Sequence, residues 1–314
     1  MLIYVIFLAF VFGLLALDLG VFHKKNKPVS MKESLSWTVV WVILALLFGV
    51  VVYFMYQGNF LHVNDKSHTE PSIAMLNFYT GYLIEESLSL DNIFVIALIF
   101  SFFKIPEKYQ HNILFWGIIG AVFFRLSMIL LGTAFVQHFD WASYIFGGIL
   151  LYSAWKMWWG SDEESDFREN FGVKLLGKLF PIEWSHESGR YMIRREGKRV
   201  ATILLACLEV IEFTDVLFAV DSIPAIFAVT KDPFIVFTSN IFAILGLRSL
   251  YFFLSGMLHR FEYLKYSLVF ILAFIGIKMI ISKWVEMDSW VSLVVIALAL
   301  GLGILVSLTK TAKD

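Results

Sequence analysis

The chain has 314 residues, of which 59% are hydrophobic and only 16% charged, where an average soluble protein is roughly 45–50% apolar and about 25% charged. That balance excludes a soluble globular chain and makes a lipid bilayer its natural solvent. A formal net charge of −1 leaves no electrostatic footprint for nucleic acid, and the single cysteine, Cys207, excludes an intramolecular disulfide framework and any cysteine-based metal knuckle.

A helix that crosses a bilayer needs about 20 mostly apolar residues. Such stretches run, in chain order, over approximately 1–22, 36–57, 73–103, 112–136, 141–159, 200–229, 233–256, 264–282 and 289–309. The fold expected is therefore an all-α polytopic membrane protein of about nine transmembrane helices. The first run has its first basic residue, Lys24, after the apolar stretch rather than before it, so it is expected to be a span and not a cleaved signal. The third and sixth runs exceed one crossing and carry several carboxylates, which sets them apart from lipid-facing helices.

Alternate loops differ sharply in basic residues. One set holds Lys24, Lys25, Lys27, Lys32, Lys104, Lys108, a basic stretch within 160–199, Arg260, Lys265, Lys310 and Lys313; the other holds Lys66, Lys231 and Lys283. The positive-inside rule then predicts an inner (cell) membrane protein with its N-terminus outside, its C-terminus cytoplasmic and an odd number of crossings. The 160–199 loop is the one sizeable polar piece. Within it, Phe167 to Phe180 suits a short amphipathic helix on the inner membrane surface, and Arg190 to Thr202 a hairpin turning at Glu196-Gly197. The loop is expected to be a connector.

An internal repeat organises the remainder. Glu85-x5-Asp91-Asn92-Ile93 matches Asp215-x5-Asp221-Ser222-Ile223, Arg125 matches Arg248, and Lys156 matches Lys278. Each copy comprises three spans, so the second enters the membrane from the opposite side, the inverted arrangement of secondary transporters. The predicted organisation is two N-terminal helices in 1–72, a first three-helix repeat in 73–159, the loop 160–199, a second inverted repeat in 200–282, and a final helix with a short tail in 283–314. Pro224 is expected to break the sixth span and free carbonyls near residue 220, because proline lacks a backbone donor. Asp91-Asn92 marks the same depth in the third span without a proline, a weaker signal for a break.

The acids are the functional signal. A carboxylate at the bilayer centre costs at least about 2.5 kcal/mol, so a cluster of them must be paired, protonated, hydrated or bound to a cation. Glu85, Ser89 and Asn92 share one helical face, as do Asp215 and Ser222; Asp91 and Asp221 join these faces if the helices deform locally. The seven histidines fall in loops or at span ends, so an oxygen-rich site without imidazole or thiolate suits a hard ion such as Mn2+, Mg2+ or Ca2+, with Na+ and H+ also open. Arg125 and Arg248 are expected as ion-pair partners of the acids or as gating cations, and Lys156 and Lys278 as snorkelling residues at span ends. Asp18 and Glu209, nearer the cytoplasmic side, are candidates for an ion-access vestibule. Glu86 projects about 100° away from Glu85 and so faces elsewhere.

The segments GYLIEESLSLDNIFV (81–95) and FTDVLFAVDSIPAIFAVTKDPFIVFTSNIFAILGLRSLYF (213–252) resemble the TerC family of integral membrane proteins, in its Alx-type members. The resemblance covers nearly the whole chain. It implies a nine-helix bundle related to the LysE transporter superfamily and the efflux of manganese, with Glu85, Asp91, Glu212, Asp215 and Asp221 at the family's acidic motif positions. One departure is Glu86, where Alx-type sequences commonly carry lysine, and it bears on the stoichiometry of any proton coupling.

The sequence thus predicts a secondary transporter and not an enzyme: a carrier in the bilayer that exports a divalent metal ion, Mn2+ foremost, with H+ as a coupling ion, without a resident cofactor and with no protein partner identified. Its metal-binding candidates are Glu85, Asp91, Asn92, Glu212, Asp215, Asp221 and Ser222. A Ca2+ or amino-acid exporter on the same scaffold is the first alternative, and a non-transporting protein that delivers metal to secreted proteins the second. An intramembrane aspartyl protease is disfavoured by the absence of a Gly-x-Gly-Asp signature.

Overall fold

A computed structural model describes residues 2–22, 31–65, 67–139, 141–159, 168, 170–184, 189–195, 197–255, 264–282, 284–285 and 287–310. At positions 18–22, 91, 136, 137, 308 and 310 it describes the backbone alone, so the side chains of Asp18 and Asp91 lie outside the described residues. The helices are α1 (Leu2–Phe22), α2 (Met31–Gln57), α3 (Pro71–Phe102), α4 (Glu107–His138), α5 (Ala142–Trp159), α6 (Phe171–Leu179), α7 (Ile203–Phe227), α8 (Pro233–Ser255), α9 (Leu264–Ile281) and α10 (Ser289–Lys310). All but α6 follow the apolar runs of the sequence. The protein is an all-α polytopic membrane protein, and among the described residues five helices, α2, α4, α8, α9 and α10, contain stretches long and apolar enough on their own to cross a bilayer. Helices α3 and α7, which carry the carboxylates, are not among those five.

Helix starts are written locally. Pro71 and Pro233 open α3 and α8, where a missing N–H costs nothing. Asp232 caps α8 by accepting from the Phe234 amide (2.9 Å) and also accepts from the Tyr56 hydroxyl (2.7 Å), which ties the end of α2 to the start of α8. The expected break at Pro224 does not occur: α7 runs through it to Phe227. The proline stands one turn from the helix end, so its ring deprives only the Val220 carbonyl of a backbone donor and the last turn closes regardless. Helix α3 is likewise continuous.

Inside a bilayer, helices associate by close packing rather than by hiding apolar surface from water, so small residues mark the crossings. Helices α5 and α9 meet almost backbone to backbone. A Cβ at Gly147 would stand 3.0 Å from the Gly276 carbonyl oxygen, and one at Gly276 would stand 3.1 Å from that of Gly147. Elsewhere rings fill the gaps: Phe7, Phe48, Phe78, Phe234, Phe237 and Phe242 interlock α1, α2, α3 and α8. The outward surface is apolar, with Phe54, Phe123, Leu131 and Leu298 all exposed, as a lipid-facing belt requires.

The polar connector builds a small unit at one end of the bundle. Asn170 caps α6 by accepting from the Gly172 amide. The expected hairpin is present as β2 (Met192–Arg195) antiparallel to β3 (Lys198–Thr202), with Gly197 at φ +77° in the turn. A short strand, β1 (Ile182–Glu183), pairs parallel to β3 and gives the order β1-β3-β2; so short a strand carries no periodic signal in the sequence. Strand β3 feeds directly into α7, and Trp184 stacks on Phe103 at the end of α3. Lys156 is exposed as expected, but Lys278 is not. It is buried and donates to the Ser292 hydroxyl (2.7 Å), because α10 covers the end of α9 that was expected to be open.

Candidate functional site

Midway along α4, Arg125 is buried, 1% exposed, and reaches two helices at once. Its Nε and Nη2 donate to the two oxygens of Asp215 on α7 (3.1 and 2.8 Å), and its Nη1 donates to Glu85 Oε1 on α3 and to Asn240 Oδ1 on α8 (3.1 Å). Asn240 closes the ring by donating from Nδ2 to Glu85 Oε2 (2.9 Å). All but one of the guanidinium N–H groups are therefore used, and four helices meet at one polar centre. Two carboxylates share a single cation there. At 1.5 Å of rise per residue, Glu85 lies about 21 Å along α3 and Asp215 about 18 Å along α7, which is a mid-bundle depth from either start.

Ser222 is buried beside Glu85, close enough to interact but outside hydrogen-bond geometry. Asn92 is buried and lines a narrow cleft between α3, α4, α7 and α8 with a cavity volume of about 20 Å³, whose wall also includes Gly117, Ala121, Thr214 and Asp215. These residues lie on the sheet-bearing side of the Arg125 centre, so the cleft leads to Asp215 from that side.

Glu212 stands one turn before Asp215 on α7 and packs against α4. Its carboxyl fills the space that a side chain at Gly120 would take: a Cβ there would fall 2.4 Å from the carboxyl carbon. It has no hydrogen-bond or ion-pair partner among the described residues. Glu209 is half-buried a turn earlier, where α6 crosses α7 through Gly172. Glu209, Glu212 and Asp215 thus step along α7 from the sheet-bearing end toward Arg125.

The other sequence candidates go elsewhere. Asp221 accepts from the Ser153 hydroxyl of α5 (2.7 Å) and faces away from Glu85, since an unbroken α7 keeps it about 240° round the helix from Asp215. Arg248 does not occupy the place that its match with Arg125 implied. It is buried with its Nη1 3.3 Å from His111 Nε2 near the start of α4, beside a Tyr251 to Gln110 hydrogen bond (3.1 Å). Among the described residues, no three of His, Cys, Asp or Glu converge as a ready cation cage; Arg125 stands between Glu85 and Asp215 instead. The side chain of Glu86 buries Oε2 without a partner. Sequence reasoning missed Asn240, Ser153 and Gly120. Asn240, an amide inside an apolar span, was the one with a visible signal.

The family model described as "Integral membrane protein TerC family" matches residues 70–314. An uncharacterized membrane protein of Myxococcus xanthus, STKORF319, is 47% identical over 305 residues, 97% of this chain and 91% of its own. A putative membrane-bound redox modulator, Alx, of Salmonella typhi is 43% identical over 268 residues, 85% of this chain and 81% of its own. The chloroplastic thylakoid membrane protein TERC of Arabidopsis thaliana is 45% identical over 238 residues, 76% of this chain and 62% of its own. No solved structure matches the chain significantly. With the family model matched over residues 70–314 and relatives alike over most of its length, the chain belongs to the TerC family of integral membrane proteins.

Proposed function

We propose that this protein is a secondary transporter that exports a divalent metal ion, Mn2+ foremost, from the cytoplasm, and that it is a carrier rather than an enzyme. The observation that carries the reading is the meeting of Glu85 and Asp215, from the two matched segments, at one buried centre with a single guanidinium between them. A site with more carboxylate than bound cation in a low-dielectric interior is a site for a cation. The donors are oxygens throughout, which suits a hard ion over Zn2+ or Cu+. Asp91, Asn92, Glu212 and Ser222 complete the proposed ligand set, and Asp221, which faces Ser153, joins it when α7 turns during transport.

In this reading the chain crosses an inner membrane nine times, with residues 73–159 and 200–282 as inverted repeats and the basic, sheet-bearing end in the cytoplasm. The ion enters from that end, passes Glu209 and Glu212, and reaches Glu85 and Asp215 by the cleft beside Asn92 and Thr214. Rocking one part of the bundle against the other releases it outside, and H+ returns the carboxylates to their inward state. Asp18 serves the inner vestibule. Nothing in the donor set distinguishes Mn2+ from Ca2+ by chemistry alone, so the two are run in competition.

Reconstitution in proteoliposomes is the test. Wild-type protein is expected to move Mn2+ outward in exchange for H+ when an inward-directed proton gradient is imposed, and Glu85→Gln and Asp215→Asn each to abolish that movement while keeping the fold. Wild-type flux in both variants would remove these carboxylates from the ion path and end the proposal. Inert wild-type protein that co-purifies with the secretion machinery would favour a metal-delivery role.

A further inference from the structure

Arg125 poses a physical problem for any cation that uses Glu85 and Asp215. Its guanidinium already holds both carboxylates, one of them through two bonds, and a third helix supplies Asn240 to fix its orientation. A metal ion and a guanidinium cannot occupy the same oxygens. Removing Arg125 without replacement, on the other hand, leaves the buried Glu85 and the half-buried Asp215 facing one another without a cation, which is strongly unfavourable.

We propose that Arg125 is a tethered stand-in for the transported cation, leaving Glu85 and Asp215 when the ion arrives and returning to them when it departs. The proposal rests on the divalent-cation reading above and assigns that site its competitor. Two consequences follow from competition. The apparent affinity for the ion is lowered in proportion to the share of molecules in which Arg125 holds the carboxylates. The ion-free carrier, with half of the site's negative charge balanced by its own side chain, can reorient without carrying two bare carboxylates across the membrane interior, and that return step is what net transport requires and ion-for-ion exchange does not.

A purely structural Arg125 makes opposite predictions, because its loss would only weaken the fold and the site together. The experiment uses the full-length protein in nanodiscs for Mn2+ titration by calorimetry, and in proteoliposomes for two fluxes, net Mn2+ efflux and Mn2+/Mn2+ exchange. Arg125→Gln is expected to bind Mn2+ on the order of tenfold more tightly than wild type, to keep exchange, and to lose most net efflux. Arg125→Lys keeps a charge but, as a compact point cation, cannot bridge Asp215, Glu85 and Asn240 together. It is expected to show a smaller tightening of the same sign. Folded Arg125→Gln protein with unchanged or weaker Mn2+ affinity overturns the proposal, as does a parallel fall in exchange and net efflux. Should Arg125→Gln fail to fold, Arg125→Lys decides by the same affinity measurement: tightening supports the tether, and an unchanged or weakened affinity overturns it. Wild-type protein that binds no divalent cation overturns the exporter reading and the tether with it, and is told apart from failure of the tether alone by the wild-type titration.

Discussion

Gly120→Ala separates a role in the ion path from a role in packing. The added Cβ would lie 2.4 Å from the Glu212 carboxyl carbon, whereas ordinary contact begins at 3.4 Å, so the carboxyl must withdraw by about 1 Å. The obstructing atoms are the end of a flexible side chain rather than backbone, and the fold can yield. The withdrawn Glu212 side chain then takes a distorted rotamer, at a cost of about 0.5–1.5 kcal/mol, which converts to a flux loss of roughly two- to tenfold. The control is Gly147→Ala, where the Cβ meets the Gly276 carbonyl oxygen at 3.0 Å and the backbone cannot withdraw cheaply. Thermal unfolding of both variants, with Mn2+ flux in proteoliposomes, is the assay. Gly120→Ala is expected to melt close to wild type and transport poorly; Gly147→Ala is expected to lose about 1–3 kcal/mol of stability. Wild-type flux in Gly120→Ala would show that the Glu212 carboxyl plays no part in ion passage, and a melt as low as that of Gly147→Ala would show that its contact with α4 is structural.

Three further outcomes are expected. Asn240→Leu strips a donor from Glu85 and an acceptor from Arg125, and should cost about 1–3 kcal/mol in thermal unfolding because both are left buried. Asp221→Asn keeps a side chain able to meet Ser153 and should keep the fold but lose flux; full Mn2+ flux in that variant would strike Asp221 from the ligand set. In the loop before α3, the hydrogen bond from Asn59 (2.6 Å) holds the Asp65 carboxyl below the usual carboxylate range. Because that folded-state value is depressed, its contribution to loop stability is present above the ordinary range and is lost as pH falls through the lowered value. Asn59→Ala should return Asp65 toward ordinary titration, read in its carboxyl carbon chemical shift.

The helices were legible because bilayer thickness imposes a minimum apolar length on every span, and the apolar runs of the chain carry that length plainly. The pairing of Glu85 with Asp215 was legible for a related reason: intramembrane acids are rare enough that their spacing stands out. The partners of those acids were harder to see. Arg125 and Arg248 look alike in spacing, yet one sits between two carboxylates and the other beside His111, since helix rotation and tilt, which no spacing encodes, decide which neighbour a long side chain meets. Pro224 misled because the effect of proline depends on its distance from the helix end. Gly120 and Ser153 gave no signal at all, one being an absence of side chain and the other a common residue whose role is set wholly by the helix opposite.

The bonds around Arg125 are unequal in a way that divides the bundle. Asp215 on α7 holds the guanidinium, itself carried by α4, through two parallel hydrogen bonds, while Glu85 on α3 shares its other oxygen with Asn240 on α8. If the centre is pulled apart between α3 with α8 and α4 with α7, the Nη1 bonds of Arg125 to Glu85 and to Asn240 are lost together, and each carboxylate keeps a companion: Asp215 stays with Arg125 of α4, and Glu85 with Asn240 of α8. The seam so defined runs between α3 with α8 on one side and α4 with α7 on the other, so each half draws one helix from each of the two matched sequence segments. A mechanical parting along that seam interleaves the two segments instead of separating them, and leaves neither Glu85 nor Asp215 without a hydrogen-bond donor on its own side.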